Sequence, residues 1–130
     1  MGPGSHGSTF GGNPLAMAVA NAVLDGLEED GFLDTVRARI DRLDTHLQEL
    51  AAAYPDKIVE VRGSGLLRGL RMAETLAVGD ITAQLRARHL SCVPAAENVL
   101  RLLPPLTISE TELETARSAL DSCFSEQTTA

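Results

Sequence analysis

The sequence predicts an α+β domain, with a small and mostly antiparallel sheet that carries helices on one face. The helices are predicted at both ends of the chain, where apolar residues recur every three to four positions in long segments. A second observation predicts the sheet. Four short segments rich in β-branched and apolar residues lie between residues 57 and 104, in two pairs joined by turn residues. The expected order is helix, helix, strand, strand, helix, strand, strand, helix.

Two helices begin the predicted order. Asn13 is a typical N-cap, and Pro14 fits a first helical turn, where its missing N–H costs nothing. The apolar stripe of the first helix contains Leu15, Ala18, Val19, Ala22, Val23 and Leu27. Gly31 predicts the end of this helix. The second helix is expected to bury a stripe made of Leu33, Val36, Ile40, Leu43, Leu47 and Leu50.

A strand pair and a short helix come next. Pro55 and Asp56 end the second helix. The segments "KIVEVRG" and "LLRGLRM" predict two strands, with a bend at the "GSG" of residues 63 to 65. Residues 79 to 89 predict a third helix with Ile81 and Leu85 facing inward and Ala83 as a further inward candidate.

A second strand pair and a last helix complete the order. The segments "LSCVPA" and "NVLRLLP" predict strands joined by a turn at "AEN", and "PPL" ends the second strand because proline donates no hydrogen bond. Ser109 and Glu112 have the spacing of a capping box at the start of the last helix. Its buried face contains Leu113, Ala116, Leu120 and Phe124. Residues 126 to 130 are expected to fray.

The composition excludes several classes of protein. The 130 residues are 44% hydrophobic, which is enough for one domain with a core. The net charge of −7 and the few aromatic residues argue against binding to nucleic acid or to a membrane surface. Cys92 and Cys123 form no metal-ligand cluster and are interpreted as small core residues, so no metal site is predicted. With no leader and no long apolar run in the sequence, we expect a cytoplasmic protein.

Three motifs follow one another along the chain. They are "GSHGSTFGGNPLA" at 4 to 16, "VRGSGLLRGL" at 61 to 70 and "NVLRLLPPLTIS" at 98 to 109. Together they resemble the C-terminal part of class III aminotransferases, which are fold-type I enzymes that use pyridoxal 5'-phosphate. The resemblance covers essentially the whole chain and is greatest to the members that act on N-acetylornithine. It implies that residues 31–125 form the C-terminal small domain of that fold, residues 14–30 an interface or linker helix, and residues 1–13 a cofactor-phosphate loop.

The resemblance gives the first loop a role at a subunit interface. In the enzymes that the chain resembles, this loop crosses the interface of a homodimer and holds the cofactor phosphate of the neighbouring subunit. Ser8 and Thr9 are the matching positions for cofactor binding. The chemistry is suitable, because a dianionic phosphate needs several short donors and glycine lets the backbone approach it. The residues alone also allow a loop that enters a helix and binds no ligand.

Arg101 is the second candidate site residue. It lies between Leu100 and Leu102 in an apolar strand segment, where an arginine is costly unless it is paired. The alternation of the segment also allows an arginine that points outward from an exposed face. The resemblance implies that Arg101 points into the active site, where it pairs with an acidic gate residue or binds a substrate carboxylate through its two-pronged guanidinium.

Other motif residues are interpreted as structural. His6 has no metal-ligand partner at useful spacing and is taken as part of the loop. Gly63 and Gly65 are taken as turn residues. Arg71 departs from the family pattern, which often has an acidic residue at this position. We expect Arg71 to be exposed.

The catalytic lysine of the family has no counterpart in the chain. These transaminases hold their cofactor as a Schiff base with a lysine that precedes the first motif, and the only lysine here is Lys57. Its place beside Pro55 and Asp56 predicts a solvated charge. We therefore expect a C-terminal fragment with no catalytic residue of its own. Neither the cofactor-binding large domain nor a bound cofactor is expected in it, and it should be inactive alone.

The resemblance implies a parent reaction between small molecules. The parent enzyme would move an amino group from N-acetylornithine, an amino acid, to 2-oxoglutarate, a 2-oxo acid, in arginine biosynthesis. Two alternatives remain open at this point. One is a fragment of a transaminase for ornithine, succinylornithine or 4-aminobutyrate. The other is a free-standing domain that binds a partner and has no catalytic activity.

Overall fold

The computed structural model describes residues 7–127, which form two compact units. The first unit extends to Thr35 and the second begins at Val36. The eight elements occur in the predicted order. They are α1 (Pro14–Glu28), α2 (Phe32–Ala53), β1 (Ile58–Ser64), β2 (Leu67–Met72), α3 (Val78–Ala87), β3 (Val93–Ala95), β4 (Val99–Leu102) and α4 (Glu110–Ser125).

The first unit contains the entry loop, α1 and the first residues of α2. Asn13 caps α1 as predicted: its side chain accepts a hydrogen bond from the Ala16 N–H at 2.9 Å, and Pro14 occupies the first turn. Gly31 has a φ of +80° and follows the end of α1. No residue of α1 is buried, and Val19 and Val23 are each 57% exposed.

The second unit is built on one four-stranded antiparallel sheet in the order β1-β2-β4-β3. β1 and β2 form a hairpin through Gly65, which has a φ of +58°. β3 and β4 form a second hairpin through residues 96 to 98. β2 and β4 lie side by side at the centre, which joins the two hairpins into one sheet.

The core lies between one face of this sheet and the helices. Alternation along the strands sends Leu70, Met72, Leu100 and Leu102 to the same face, where all four are buried. α2, α3 and α4 add buried side chains to this cluster, including Leu43, Leu47, Leu50, Ile81, Leu85, Leu113, Leu120 and Phe124. The predicted α+β layer, with helices on one face, is confirmed. Both cysteines are buried, as expected, and neither forms a disulfide.

Three side chains lie differently from the sequence-based expectation. Leu33 was expected in the buried stripe of the second helix. It lies at the N-terminal end of α2 and is 50% exposed. Ala83 is exposed, and its neighbour Thr82 is buried instead. Thr82 can be buried because its hydroxyl donates to the Val78 carbonyl at 2.7 Å, so no polar group is left unsatisfied.

Lys57 is the third difference, and the prediction of a solvated charge is wrong. The side chain is buried, and Nζ donates to the Phe124 carbonyl at 2.9 Å. It also lies 5.3 Å from the centre of the Tyr54 ring. The carbonyls of the last helical turn lack partners within the helix and carry partial negative charge. Lys57 therefore closes the C-terminal end of α4, a contact that neighbouring sequence letters cannot reveal.

The structure also bears on the exposure of Arg71, on the end of the last helix and on membrane-spanning segments. Arg71 is partly buried rather than fully exposed, because it contacts Glu60 on the neighbouring strand at 3.2 Å. The tail was expected to fray from residue 126, while α4 extends to Ser125 and residues 128–130 lie outside the described part of the chain. Across the described residues, the helices are too short or too polar to cross a bilayer.

Candidate functional site

The entry loop presents two hydroxyls to solvent. Ser8 and Thr9 lie in an exposed bend just before α1, and Phe10 is 81% exposed beside them. Gly12 has a φ of +75°, a left-handed conformation that glycine adopts without strain. The Asn13 amide donates to the Phe10 carbonyl, which ties the bend to the start of the helix. His6 lies outside the described residues.

The hydroxyls and glycines of the loop are exposed. Neither hydroxyl of Ser8 and Thr9 forms a hydrogen bond with another part of the chain between residues 7 and 127. A side chain added at Gly7 or Gly12 would meet no atom within 4 Å, so the backbone there is open to close approach. Hydroxyls and open backbone N–H groups of this kind can donate to an anion such as a phosphate.

Arg101 lies on the face of the sheet that the helices leave uncovered, named here the open face. The register aligns Arg62 of β1 with Gly69 of β2, Gly69 with Arg101 of β4, and Arg101 with Val93 of β3. Residues paired across antiparallel strands point to the same side. Arg62 and Arg101 therefore flank Gly69 on the open face, about 10 Å apart at two strand spacings.

Gly69 leaves a shallow depression between the two arginines. A β carbon at this position would lie 2.8 Å from Val99 Cγ1 and 3.6 Å from Arg62 Cγ. Val99 is buried because it leans over this gap. Arg62, Gly69, Val99, Arg101 and Glu97 all line the depression.

The carboxylates of the open face are both paired with other arginines. Arg71 contacts Glu60 at 3.2 Å. Arg62 donates from both terminal nitrogens to one oxygen of Glu97, each at 2.9 Å. Arg101 has no ion pair or hydrogen-bond partner among the described residues. Within residues 7–127 the open face therefore presents one unpaired guanidinium, and its planar donors suit a carboxylate.

Asn98 organises the turn beside this depression, and sequence reasoning missed its role. Its φ of +57° is left-handed, a conformation that asparagine tolerates better than most residues. Its Nδ2 donates to the Ala73 carbonyl at 3.0 Å and to the Leu76 carbonyl at 2.8 Å. Its Oδ1 accepts from the Val78 N–H at 3.0 Å, so a turn that is distant in the sequence caps the first residue of α3. The motif letters "NV" before the strand were the only signal.

A second concavity lies on the helix side of the sheet, between α2, α4 and residues 102 to 108. It has a volume of about 240 Å3 and is lined mostly by leucine, isoleucine and proline. His46 lines it and is buried, and neither ring nitrogen forms a hydrogen bond. Nε2 is 3.2 Å from Glu114 Oε1, an ion-pair distance, but that oxygen already accepts from Arg42 at 2.7 Å. His46 has helical spacing from Leu43 and Leu50 of the predicted buried stripe, which was the signal of its burial that the charged neighbours obscured.

The thiols do not form a reactive site. Burial, with Cys123 nearby, raises the pKa of Cys92 to about 11. Burial also raises the pKa of Cys123. Thiols of this kind stay protonated at neutral pH and behave as apolar groups. Within residues 7–127 no cluster of histidine, cysteine or acidic residues could hold a metal ion.

Known proteins match almost the full length of the chain. A family model described as Aminotransferase class-III matches residues 1–124. An acetylornithine aminotransferase of Mesorhizobium japonicum is 47% identical over 116 residues, which cover 89% of this chain and 29% of that protein. A second one, from Agrobacterium fabrum, is 49% identical over 120 residues, with 92% and 29% covered.

Solved structures give the same result for the fold. The acetylornithine aminotransferase of Elizabethkingia anophelis matches with a TM-score of 0.83 at 32% identity, over 98% of this chain and 34% of that one. This chain spans about 29% of the length of the curated relatives it matches. The fold, the ordered motifs and these matches lead to one conclusion: the chain belongs to the class III aminotransferase family.

Proposed function

We propose that this chain serves as the C-terminal small domain of a pyridoxal-phosphate-dependent aminotransferase that moves the amino group of N-acetylornithine to 2-oxoglutarate, a step of arginine biosynthesis. The observation that carries the proposal is the unpaired guanidinium of Arg101 on the open face, in a chain 47% identical to an acetylornithine aminotransferase. In this proposal Arg101 binds a substrate carboxylate or pairs with an acidic gate residue. Both substrates carry carboxylates, so a fixed guanidinium suits either one.

The entry loop takes the cofactor phosphate in this proposal. Ser8 and Thr9 would donate their free hydroxyls to phosphate oxygens, and the glycines on either side would let backbone N–H groups approach. When bound, pyridoxal phosphate supplies the electron sink that amino-group transfer requires. The loop's part is to hold and orient the phosphate. A matched structure of the Toxoplasma gondii ornithine aminotransferase, 33% identical over 95% of this chain, has partial occupancy of that cofactor in its active site.

We also propose that transamination depends on residues beyond those described. The one lysine of the chain, Lys57, is buried and committed to the Phe124 carbonyl. A lysine that closes a helix end has no free amine to offer a cofactor. The catalytic lysine and the acidic partner of the cofactor ring would come from the remaining length that the relatives possess.

The exposed stripe of α1 supports a homodimer. Leu15 and Leu24 are 75% and 53% exposed, and Val19 and Val23 lie between them on the helix at 57% each. An apolar stripe of this kind is typical of an interface helix. We expect Val19→Glu with Val23→Glu to abolish self-association of the chain in sedimentation, while the polar double substitution Asp25→Asn with Glu28→Gln has no effect. A native chain that stays monomeric at high concentration would contradict the interface role.

The test of the function uses the complete reading frame that encodes this chain. The purified product should form glutamate from N-acetylornithine and 2-oxoglutarate. Arg101→Gln should raise the KM for 2-oxoglutarate by about 10- to 100-fold, because one charged hydrogen-bond partner is lost. Arg86→Gln is the matched control, since Arg86 is an exposed arginine that also lacks a partner among the described residues. An unchanged KM in Arg101→Gln would refute the assignment.

The cofactor loop is tested separately from the substrate site. Thr9→Val keeps the shape of the side chain and removes its hydroxyl, and we expect it to weaken pyridoxal phosphate binding about tenfold. Thr45→Val is the control, because Thr45 is an exposed threonine of α2 that bonds only its own helix. Ornithine, tested as amino donor in parallel, distinguishes the acetylornithine reaction from that of the ornithine aminotransferases that the fold also matches.

A further inference from the structure

The open face has three arginines and two carboxylates, and in the structure each carboxylate pairs with one arginine, which leaves Arg101 without a partner among the described residues. Glu60 contacts Arg71 within the β1–β2 hairpin. Among the described residues, Glu97 is the only carboxylate that lines the depression, and Arg62 and Arg101 both line it with Glu97. The two arginines are thus rival partners for one acid. In the structure Arg62 pairs with Glu97, and a Glu97 carboxylate that turned to Arg101 would occupy its guanidinium.

In the structure, Glu97 forms its ion pair with Arg62. Both terminal nitrogens of Arg62 donate to the same Glu97 oxygen at 2.9 Å, a two-donor contact that fixes the position of the carboxylate. Glu97 lies in the turn before β4 with a φ of +61°, and Arg62 is the residue of β1 that shares a row with Arg101. Gly69 places no side chain of its own between Arg62 and Arg101, and Val99 Cγ1 lies beside the gap.

We propose that Arg62 is a positioning residue for the reaction: by holding Glu97, it keeps the guanidinium of Arg101 unpaired for a substrate carboxylate. This inference rests on the role proposed above for Arg101. Without Arg62, the Glu97 side chain is released beside an arginine that has no other partner, and it competes with the substrate carboxylate for that arginine. The effect is electrostatic and falls on substrate binding rather than on the rate of the bound complex.

The chemistry predicts a rescue that a structural role would not produce. Arg62→Gln frees Glu97 and should raise the KM for 2-oxoglutarate about fivefold with little change in kcat, a size set by the strength of an exposed ion pair. Glu97→Gln removes the competitor and should leave this KM near the native value. The double variant, Arg62→Gln with Glu97→Gln, should return the KM to the native value, because the released acid no longer exists.

Two further variants serve as controls in the same enzyme, expressed from the complete reading frame. Arg62→Lys retains a positive charge beside Glu97 and should restore most of the affinity. Arg71→Gln removes the same charge from the same face but releases Glu60 instead, and its KM should stay native. Circular dichroism of every variant confirms the fold.

The outcomes separate this inference from the proposed function. A raised KM in Arg62→Gln that the second substitution cancels supports the inference. A double variant as poor as Arg62→Gln overturns it, because Arg62 would then act directly or through the fold. An equal rise in Arg71→Gln also overturns it, since the net charge of the face would be the cause. An unchanged KM in Arg101→Gln overturns this inference and the substrate role of Arg101 together, whereas the aminotransferase proposal fails only if the enzyme forms no glutamate.

Discussion

Replacing Asn98 with alanine should destabilise the second unit more than any surface substitution in its sheet. The Asn98 side chain connects the β3–β4 turn to the segment that leads into α3, through its bonds to the Ala73 and Leu76 carbonyls and the Val78 N–H. Alanine removes all three bonds. Alanine must also adopt the left-handed φ of +57°. Unlike asparagine, it has no side-chain hydrogen bonds to stabilise that conformation.

The expected loss follows from these contacts. Each hydrogen bond contributes about 1 kcal/mol net, and the site is half-buried, so water replaces part of what is lost. The three bonds then amount to about 2 kcal/mol. The left-handed backbone adds about 1 kcal/mol for alanine. Asn98→Ala should therefore cost about 3 kcal/mol, a large share of the 5–15 kcal/mol that stabilises a typical domain. Asn98→Gly should cost about 2 kcal/mol, because glycine adopts this φ without strain.

Urea unfolding followed by far-ultraviolet circular dichroism measures both variants. With a slope of about 1.5 kcal/mol per molar, the loss in Asn98→Ala lowers the midpoint by about 2 M. Ala96→Gly, at an exposed position in the same turn, is the control and should stay within about 1 kcal/mol of the native chain. The reasoning fails if Asn98→Ala unfolds within about 0.5 kcal/mol of the native chain, or if glycine at position 98 is worse than alanine.

Three further predictions concern single groups. Pyridoxal phosphate followed by borohydride reduction should leave Lys57 unmodified in the folded chain, because its amine is buried against the Phe124 carbonyl; peptide mass mapping that finds the adduct on this lysine would disprove the assignment. Hydrogen bonds from the backbone and hydroxyl of Ser109 lower the pKa of Glu112, so this carboxylate stabilises the chain fully above its unfolded pKa. Glu112→Gln should thus be less stable than the native chain at pH 7, and the difference should shrink as the pH falls below about 4, through the lowered folded pKa; a gap that is constant with pH in urea melts would contradict the capping role. Cys92, with a pKa of about 11, should react with a disulfide reagent at pH 8 only when urea unfolds the chain, and fast labelling of the native thiol would show that it is accessible.

The elements of the chain could be predicted from the sequence because their signals are local. A helix depends on residues three and four positions apart, and a cap on residues within one turn. Asn13 and Ser109 cap α1 and α4 in the structure as their spacing predicts. The turn residues between the strands and the order of the eight elements follow from the same kind of short-range pattern. The family motifs, which are also contiguous letters, led to the aminotransferase family.

Burial and pairing were decided by tertiary structure. Lys57 contacts a carbonyl 67 residues away, and Asn98 bonds groups 20 to 25 residues away, so no window of neighbouring letters contains these partners. His46 lies among charged residues in the sequence and is buried against an apolar cavity in the fold. The sequence could name such residues but not the environment in which each one is placed.

Whether Arg101 is paired could be read only from the tertiary structure. The letters identified Arg101 as a candidate and left open whether it points outward or is paired. The sheet register aligns it with Gly69 and Arg62, and this alignment joins strands that are about 40 residues apart in the chain. Side-chain pairing across a sheet depends on that register and on which carboxylate lies beside each arginine. The sequence by itself therefore determined the elements and the family, while only the fold decided that Arg101 is the arginine of the open face without a partner.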